Sequence, residues 1–241
     1  MNHSARRKML KFFGTFMVVL LPVVLALWFA HIRAMSETRN QLSSFAQLVL
    51  NKTELVIFQA DLARDMAQLY QGKMCTPAHQ KSMLNIIRGR LYISELIYAQ
   101  GDHFLCSTSM MPRVPYIMAT ADYKRAPDVS IYYYRDTPFF AGYKMTYMQR
   151  GNYVVVINPL SYSEVMSDDP DLSWGVYDTV TDTFFSSSEG ANIAQFSPLI
   201  RGEASTFQQG ERFYTIVHSE KRPIAIIVST SDARVNQIFY H

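Results

Sequence analysis

The residues best suited to chemistry are the chain's two cysteines, Cys75 and Cys106. In an oxidising compartment two thiols permit one internal disulfide, and no other internal pairing competes with it. They lie 31 positions apart, so a bond between them removes chain entropy from the unfolded state equivalent to roughly 3.7 kcal/mol. The pattern leaves three states open: a structural crosslink, a redox-responsive bond, and free or intermolecular thiols. Strain and reduction potential depend on geometry, which spacing does not supply.

The other reactive types are less well placed. Ser107, Thr108 and Ser109 follow Cys106 directly, but no G-x-S-x-G turn surrounds them and no base is identifiable. Hydroxyls in such a place read as caps for backbone groups. Asp168, Asp169 and Asp171 could offer oxygen to calcium, yet they lack the glycine and terminal glutamate of an EF-hand loop, so a solvated turn is the reading. His79, His103 and His218 are isolated, with no HxH or HExxH spacing. Tyr132, Tyr133 and Tyr134 alternate along an expected strand. Arg125 and Arg135 nearby could receive a small anion, against the simpler reading of core packing and solvated charge. No catalytic residue, metal ligand or cofactor is assigned.

Whatever chemistry the cysteines do must be positioned by the elements around them. Arg6, Arg7, Lys8, Lys11 and Arg33 stand without an acid in residues 1–33, leaving 18 of the 23 bases against all 20 acids. The net +3 is therefore a terminal tag and not a nucleic-acid surface, and no nucleic-acid partner is expected. Residues 12–30 are 19 residues without a charge, and as a helix they span roughly 28 Å, the thickness of a bilayer core. Trp28 and Phe29 suit the far interface, and the positive-inside rule puts the basic end in the cytoplasm. Pro22 is tolerated in such a span. A cleaved signal peptide shares the plan of basic, apolar and polar segments. However, Trp28/Ala30 and Ile32/Ala34 supply no small-x-small pair. The expected division is a cytoplasmic tail at 1–11, a transmembrane helix at 12–32 and an exported, periplasmic domain at 33–241. The lipid bilayer of a bacterial inner membrane is its first partner.

Residues 36–71 contain neither glycine nor proline, and Leu42, Phe45, Val49, Val56, Ile57, Ala60, Ala63, Met66 and Ala67 recur at helical spacing. A long membrane-proximal helix follows, its stripe covered by the domain or serving as a coiled-coil seam between two copies. A second helix is expected over 78–99. Strands are expected at 129–135, 141–148, 152–160, 173–179, 212–219 and 223–231, joined by hairpin-like links at 149–152 and 219–222. Residues 186–188 and 202–210 read as loops. The expected fold is α/β: one membrane helix, then an extracytoplasmic domain with a long helix and one mainly antiparallel, PAS-like sheet. The last step is by analogy.

A short basic terminus, an apolar span, a long helix, a cysteine at position 75 and the segment Phe104-Leu105-Cys106-Ser107-Thr108-Ser109 resemble the CSS-motif domain. That domain is the periplasmic sensor region of bacterial membrane-bound cyclic diguanylate phosphodiesterases with EAL output domains. The motif residues here are Cys106, Ser107 and Thr108; threonine replaces the second serine and keeps its hydroxyl. The resemblance implies that Cys106 pairs with Cys75, that the oxidised form restrains output, and that reduction relieves it. Within residues 1–241 there is no second apolar span and no Glu-Ala-Leu segment. The expectation is therefore a redox-sensing signalling domain without its own hydrolysis, either a truncated relative or a stand-alone sensor acting through a partner. Periplasmic thiol–disulfide oxidoreductases, a second copy of the chain and another membrane signalling protein are the expected contacts. The competing expectation is a small-ligand binding module whose disulfide is purely structural.

Overall fold

With Pro22 its only proline, the apolar span and the amphipathic segment form one uninterrupted helix, α1 (His3–Gln68), 66 residues long. At 1.5 Å per residue it extends about 100 Å. The computed structural model describes residues 3–111, 115–125, 129–136, 144–158, 160–163 and 171–231. Residues within Leu20–Gln68 are apolar and long enough to cross a membrane. Leu20, Leu21, Trp28 and Phe29 are exposed there, as a lipid-facing surface requires. Further along, Leu42, Val49, Val56, Ala60, Ala63 and Ala67 are buried against the body. The domain covers that stripe, although Met66 lies outside it.

After α1 come α2 (Pro77–Ile87), β1 (Ile93–Gln100), β2 (His103–Ser107), β3 (Tyr116–Ile117), β4 (Tyr123–Arg125), β5 (Val129–Arg135), β6 (Met145–Arg150) and β7 (Tyr153–Ile157). Then follow α3 (Leu160–Ser163), β8 (Ser173–Asp178), β9 (Thr183–Ser187), α4 (Ile193–Phe196), β10 (Ser205–Gln209), β11 (Arg212–His218) and β12 (Ile224–Ser231). The strands make two antiparallel sheets, ordered β3-β2-β1-β7-β6-β5-β4 and β10-β11-β12-β8-β9. The expectation of a single sheet is thus corrected to two. α1 lies against both, touching β7 of the first and β11 and β12 of the second.

Side-chain alternation explains why stretches of the central strands are apolar on both faces. Leu96, Tyr98, Val155 and Ile157 face the core shared with α1, while Ile97, Ala99, Val154 and Val156 face a second cluster on the opposite side of the first sheet. Ile226 and Val228 face α1, while Ala225 and Ile227 pack with Phe196 and Ile200. The same effect corrects the helix expected over 78–99. α2 stops at Ile87, Gly89 turns with φ +79°, and residues 93–100 are the two-sided strand β1. A continuous apolar run carries neither the helical nor the alternating period cleanly.

Both expected hairpins form, with Gly151 at φ +57° between β6 and β7, and residues 219–222 joining β11 to β12. The segment at 202–210, read as a loop, holds edge strand β10, whose residues, Phe207 apart, are polar and carry no apolar pattern. Residues 186–187 likewise complete β9. Of the expected strand at 141–148, residues 141–143 lie outside the described set.

Candidate functional site

The turn between α1 and α2 brings the first cysteine to the sheet. Thr76 caps α2 by accepting the His79 backbone N–H at 3.3 Å, with Pro77 in the first turn, where its missing N–H costs nothing. Cys75, just before the cap, has a left-handed backbone with φ +52°. The second cysteine lies on β2, where Cys106 is opposite Tyr98 of β1, and Tyr98 is in turn opposite Tyr153 of β7. The two cysteines form a disulfide, with Cα atoms 5.6 Å apart. Cys106 is buried and Cys75 half-buried.

His79, discounted from the sequence as an isolated histidine, is brought to the disulfide by the fold. It lies in the first turn of α2, fully buried beside the bond. Its Nδ1 accepts the Cys75 backbone N–H at 3.0 Å and lies 4.0 Å from Cys106 Sγ. A backbone N–H can only donate, so Nδ1 carries the lone pair and Nε2 the proton. Nε2 then donates to the Tyr153 hydroxyl at 3.0 Å, and that hydroxyl donates to Met74 Sδ at 3.9 Å. The rings of Tyr70, Tyr98 and Tyr153 surround the imidazole at 4.6, 5.4 and 5.9 Å between centroids. Burial lowers the His79 pKa and keeps the ring neutral. Burial, with Tyr98 and Tyr70 nearby, pushes the Tyr153 hydroxyl up to about 12. No spacing rule signalled the pair, because Cys75 lies outside α2 with a left-handed backbone and meets His79 only through the fold of the α1–α2 turn.

The motif hydroxyls have structural partners. Ser107 Oγ accepts the Met110 N–H at 3.0 Å and the Ser109 N–H at 3.3 Å, closing the turn after β2. Thr108 Oγ1 accepts the Leu96 N–H at 3.3 Å and donates to Glu95. The buried Glu95 carboxylate also accepts from Ser109 N–H at 2.7 Å and Ser109 Oγ at 2.9 Å. Gln80 of α2 donates to the Thr108 carbonyl at 3.1 Å. Glu95 thus receives three bonds from the two residues after Ser107, a function hidden in a strand read as helix. The serine–threonine segment locks β2, β1 and α2 together next to the disulfide.

Elsewhere the expected groups do not converge. His103 contacts Asp102 at 2.6 Å, and His218 contacts the Gly202 carbonyl at 3.0 Å. Arg135 is paired with Asp122 at 2.6 Å, and the Arg125 side chain lies outside the described residues. Tyr132 and Tyr133 do face opposite sides of β5, both buried, while the Tyr134 side chain is not among those described. Asp168 and Asp169 also lie outside the described residues. Asp178 caps the β8–β9 turn by accepting the Val180 N–H at 2.8 Å.

Comparison with known proteins places this geometry in context. A family model described as "CSS motif domain associated with EAL" matches residues 38–241. The "Probable cyclic di-GMP phosphodiesterase PdeB" of Escherichia coli (strain K12) is 25% identical over 158 residues, 66% of this chain and 30% of that protein. The chain therefore spans less than a third of this relative. The extracellular domain of the histidine kinase rpHK1S-Z16 superposes with a TM-score of 0.59 at 14% identity, over 84% of this chain and 97% of that one. The ligand-binding domain of Mlp24 with asparagine superposes at 0.55 and 10% identity, over 88% and 99%. The body therefore has an extracellular sensory-domain fold.

Proposed function

Because the chain belongs to the CSS-motif family, we propose that it is the sensory input of a membrane signalling protein related to cyclic di-GMP phosphodiesterases, and that the Cys75–Cys106 bond is its redox-responsive element. The observation that carries this reading is the position of the bond. It ties the α1–α2 turn, seven residues beyond the end of α1, to the sheet at β2. α1 in turn runs without a break into the segment apolar enough to cross a membrane. Oxidation holds that end of the helix against the sheet; reduction releases it. The basic residues at positions 6–11 support an N-terminus in the cytoplasm of a bacterial inner membrane and a periplasmic body. Residues 1–11, 12–32 and 33–241 are then tail, span and sensor domain. Half-buried Cys75 is the sulfur that periplasmic oxidoreductases can reach, and a second copy or another membrane protein would receive the motion of α1.

The test is the midpoint reduction potential of the pair in the detergent-solubilised chain, read by thiol labelling across redox buffers. A midpoint between about −120 and −250 mV supports exchange in the periplasm, whereas a value below about −300 mV makes the bond a permanent staple and overturns the reading.

A cavity of about 90 Å³ favours a second reading, small-ligand binding. It lies between the sheets, lined by Ile57, Tyr133, Thr146, Asp178, Phe185 and Arg222, and the buried Thr146 Oγ1 has no hydrogen-bond partner. The Mlp24 domain is described with asparagine. A thermal-shift panel of free amino acids that leaves the unfolding temperature unchanged at saturation removes this reading.

A further inference from the structure

We propose that reduction of the disulfide turns Cys75, His79 and Cys106 into a zinc(II) site. The inference rests on the proposed exchangeability of the bond and adds a second state to it. The ligating atoms of the three residues already lie within 4.8 Å of one another. On tetrahedral zinc, with Zn–S near 2.3 Å and Zn–N near 2.0 Å, two sulfurs sit about 3.8 Å apart and sulfur and nitrogen about 3.5 Å apart. His79 Nδ1 is 4.0 Å from Cys106 Sγ in the oxidised form. Cα atoms 5.6 Å apart let side-chain rotation open the two sulfurs to the required spacing.

The histidine is prepared for the role. Its lone pair is on Nδ1, the nitrogen beside the sulfurs, and its Nε2–H is held by the Tyr153 hydroxyl. That outer hydrogen bond is the device by which metal-binding histidines have their tautomer and ring plane set. Two thiolates and one neutral imidazole bring the zinc charge to zero, so the site can form in the ring of Tyr70, Tyr98 and Tyr153 without an unpaired buried charge. Half-buried Cys75 supplies the entry path and leaves the fourth position open to water. Zinc must displace the Cys75 N–H from Nδ1. That donor sits in the turn before α2, where water can replace the imidazole as acceptor.

The chemistry balances in two steps. A dithiol passes two electrons and two protons to the disulfide, yielding the Cys75 and Cys106 thiols and its own disulfide. Zinc(II) then displaces both thiol protons and binds the two thiolates and His79 Nδ1. The metal restores the tie between the α1–α2 turn and β2 that reduction removed. The domain is therefore released only when reductant is present and zinc is scarce.

The test uses the full chain in detergent, reduced with a phosphine that is then removed under anaerobic conditions, with thiols counted before metal is added. Cobalt(II) serves as the probe for zinc. The expected result is two free thiols per chain, a thiolate-to-cobalt charge-transfer band saturating at one ion per chain, bleaching by one equivalent of zinc, and protection of both thiols from alkylation. His79→Gln, which retains both thiols, should weaken cobalt binding at least tenfold, with far-ultraviolet circular dichroism checking that the sheet persists. Two free thiols with no charge-transfer band overturn the zinc site and leave the redox reading standing. Failure to release thiols from the folded chain overturns both. Unchanged affinity in His79→Gln overturns the assignment of the third ligand.

Discussion

The Thr108 hydroxyl accepts from the Leu96 N–H and donates to Glu95, so its chemistry is backbone satisfaction and not nucleophilic attack. Losing it would leave one buried donor and one buried acceptor short of a partner, at a cost of about 1–3 kcal/mol. Thr108→Val should therefore lower urea-unfolding stability by that amount, while Thr108→Ser, which restores the hydroxyl, should stay within about 1 kcal/mol of the parent. His79 makes a pH prediction. Its pKa is lowered from 6.5 by burial, with Tyr70, Tyr98 and Tyr153 around it. The neutral ring contributes stability that is present above that ordinary value and lost as pH falls towards the lowered one. Unfolding midpoints measured from about pH 7.5 down to about pH 5 should fall more steeply for the parent than for His79→Gln, because the carboxylates common to both cancel in the comparison. Parallel curves would mean that His79 titrates as it does in the unfolded chain.

At the scale of elements, α1 has two faces with opposite demands. Ala60 is fully buried where the helix meets the sheets, and Leu55 is 43% exposed on another side. Ala60→Leu inserts volume into a filled core and should cost about 1–3 kcal/mol. Leu55→Ala removes exposed surface and should change stability by less than about 0.5 kcal/mol, both read from denaturant midpoints of the oxidised chain. A comparable loss in Leu55→Ala would show that this face is covered in solution. The helix itself was legible from its unbroken period, as were its continuity with the apolar segment and the hairpins at 149–152 and 219–222. β1 was not legible, because Leu96 and Tyr98 serve one core while Ile97 and Ala99 serve another. β10 was missed for the opposite reason, since an exposed edge strand buries too little to leave a pattern.

For the whole molecule, the disulfide closes a segment that includes α2 and β1, with a sequence separation of 31. Reduction should destabilise the described domain by roughly 3.7 kcal/mol through the entropy returned to the unfolded chain. Denaturant unfolding with and without reductant measures this, in metal-free buffer so that a bound ion does not offset the loss. Proteolysis should then strike first near residues 69–76, the turn that the bond holds, while the second sheet, which shares no residue with the closed segment, keeps its protection. Equal loss of protection in both sheets would make the bond a global staple without local leverage on α1.

The amino-acid order alone determined the apolar span, the long helix, the antiparallel character of the strands and the pairing options of two cysteines. Each is a local matter of period, charge or count. Only the tertiary structure decided that there are two sheets, that a lone histidine meets the disulfide, and that Glu95 anchors the motif hydroxyls. The reason is that β-pairing is non-local. Cys106, Tyr98 and Tyr153 become neighbours only when β2, β1 and β7 are in register, and His79 reaches them only when α2 docks across that register.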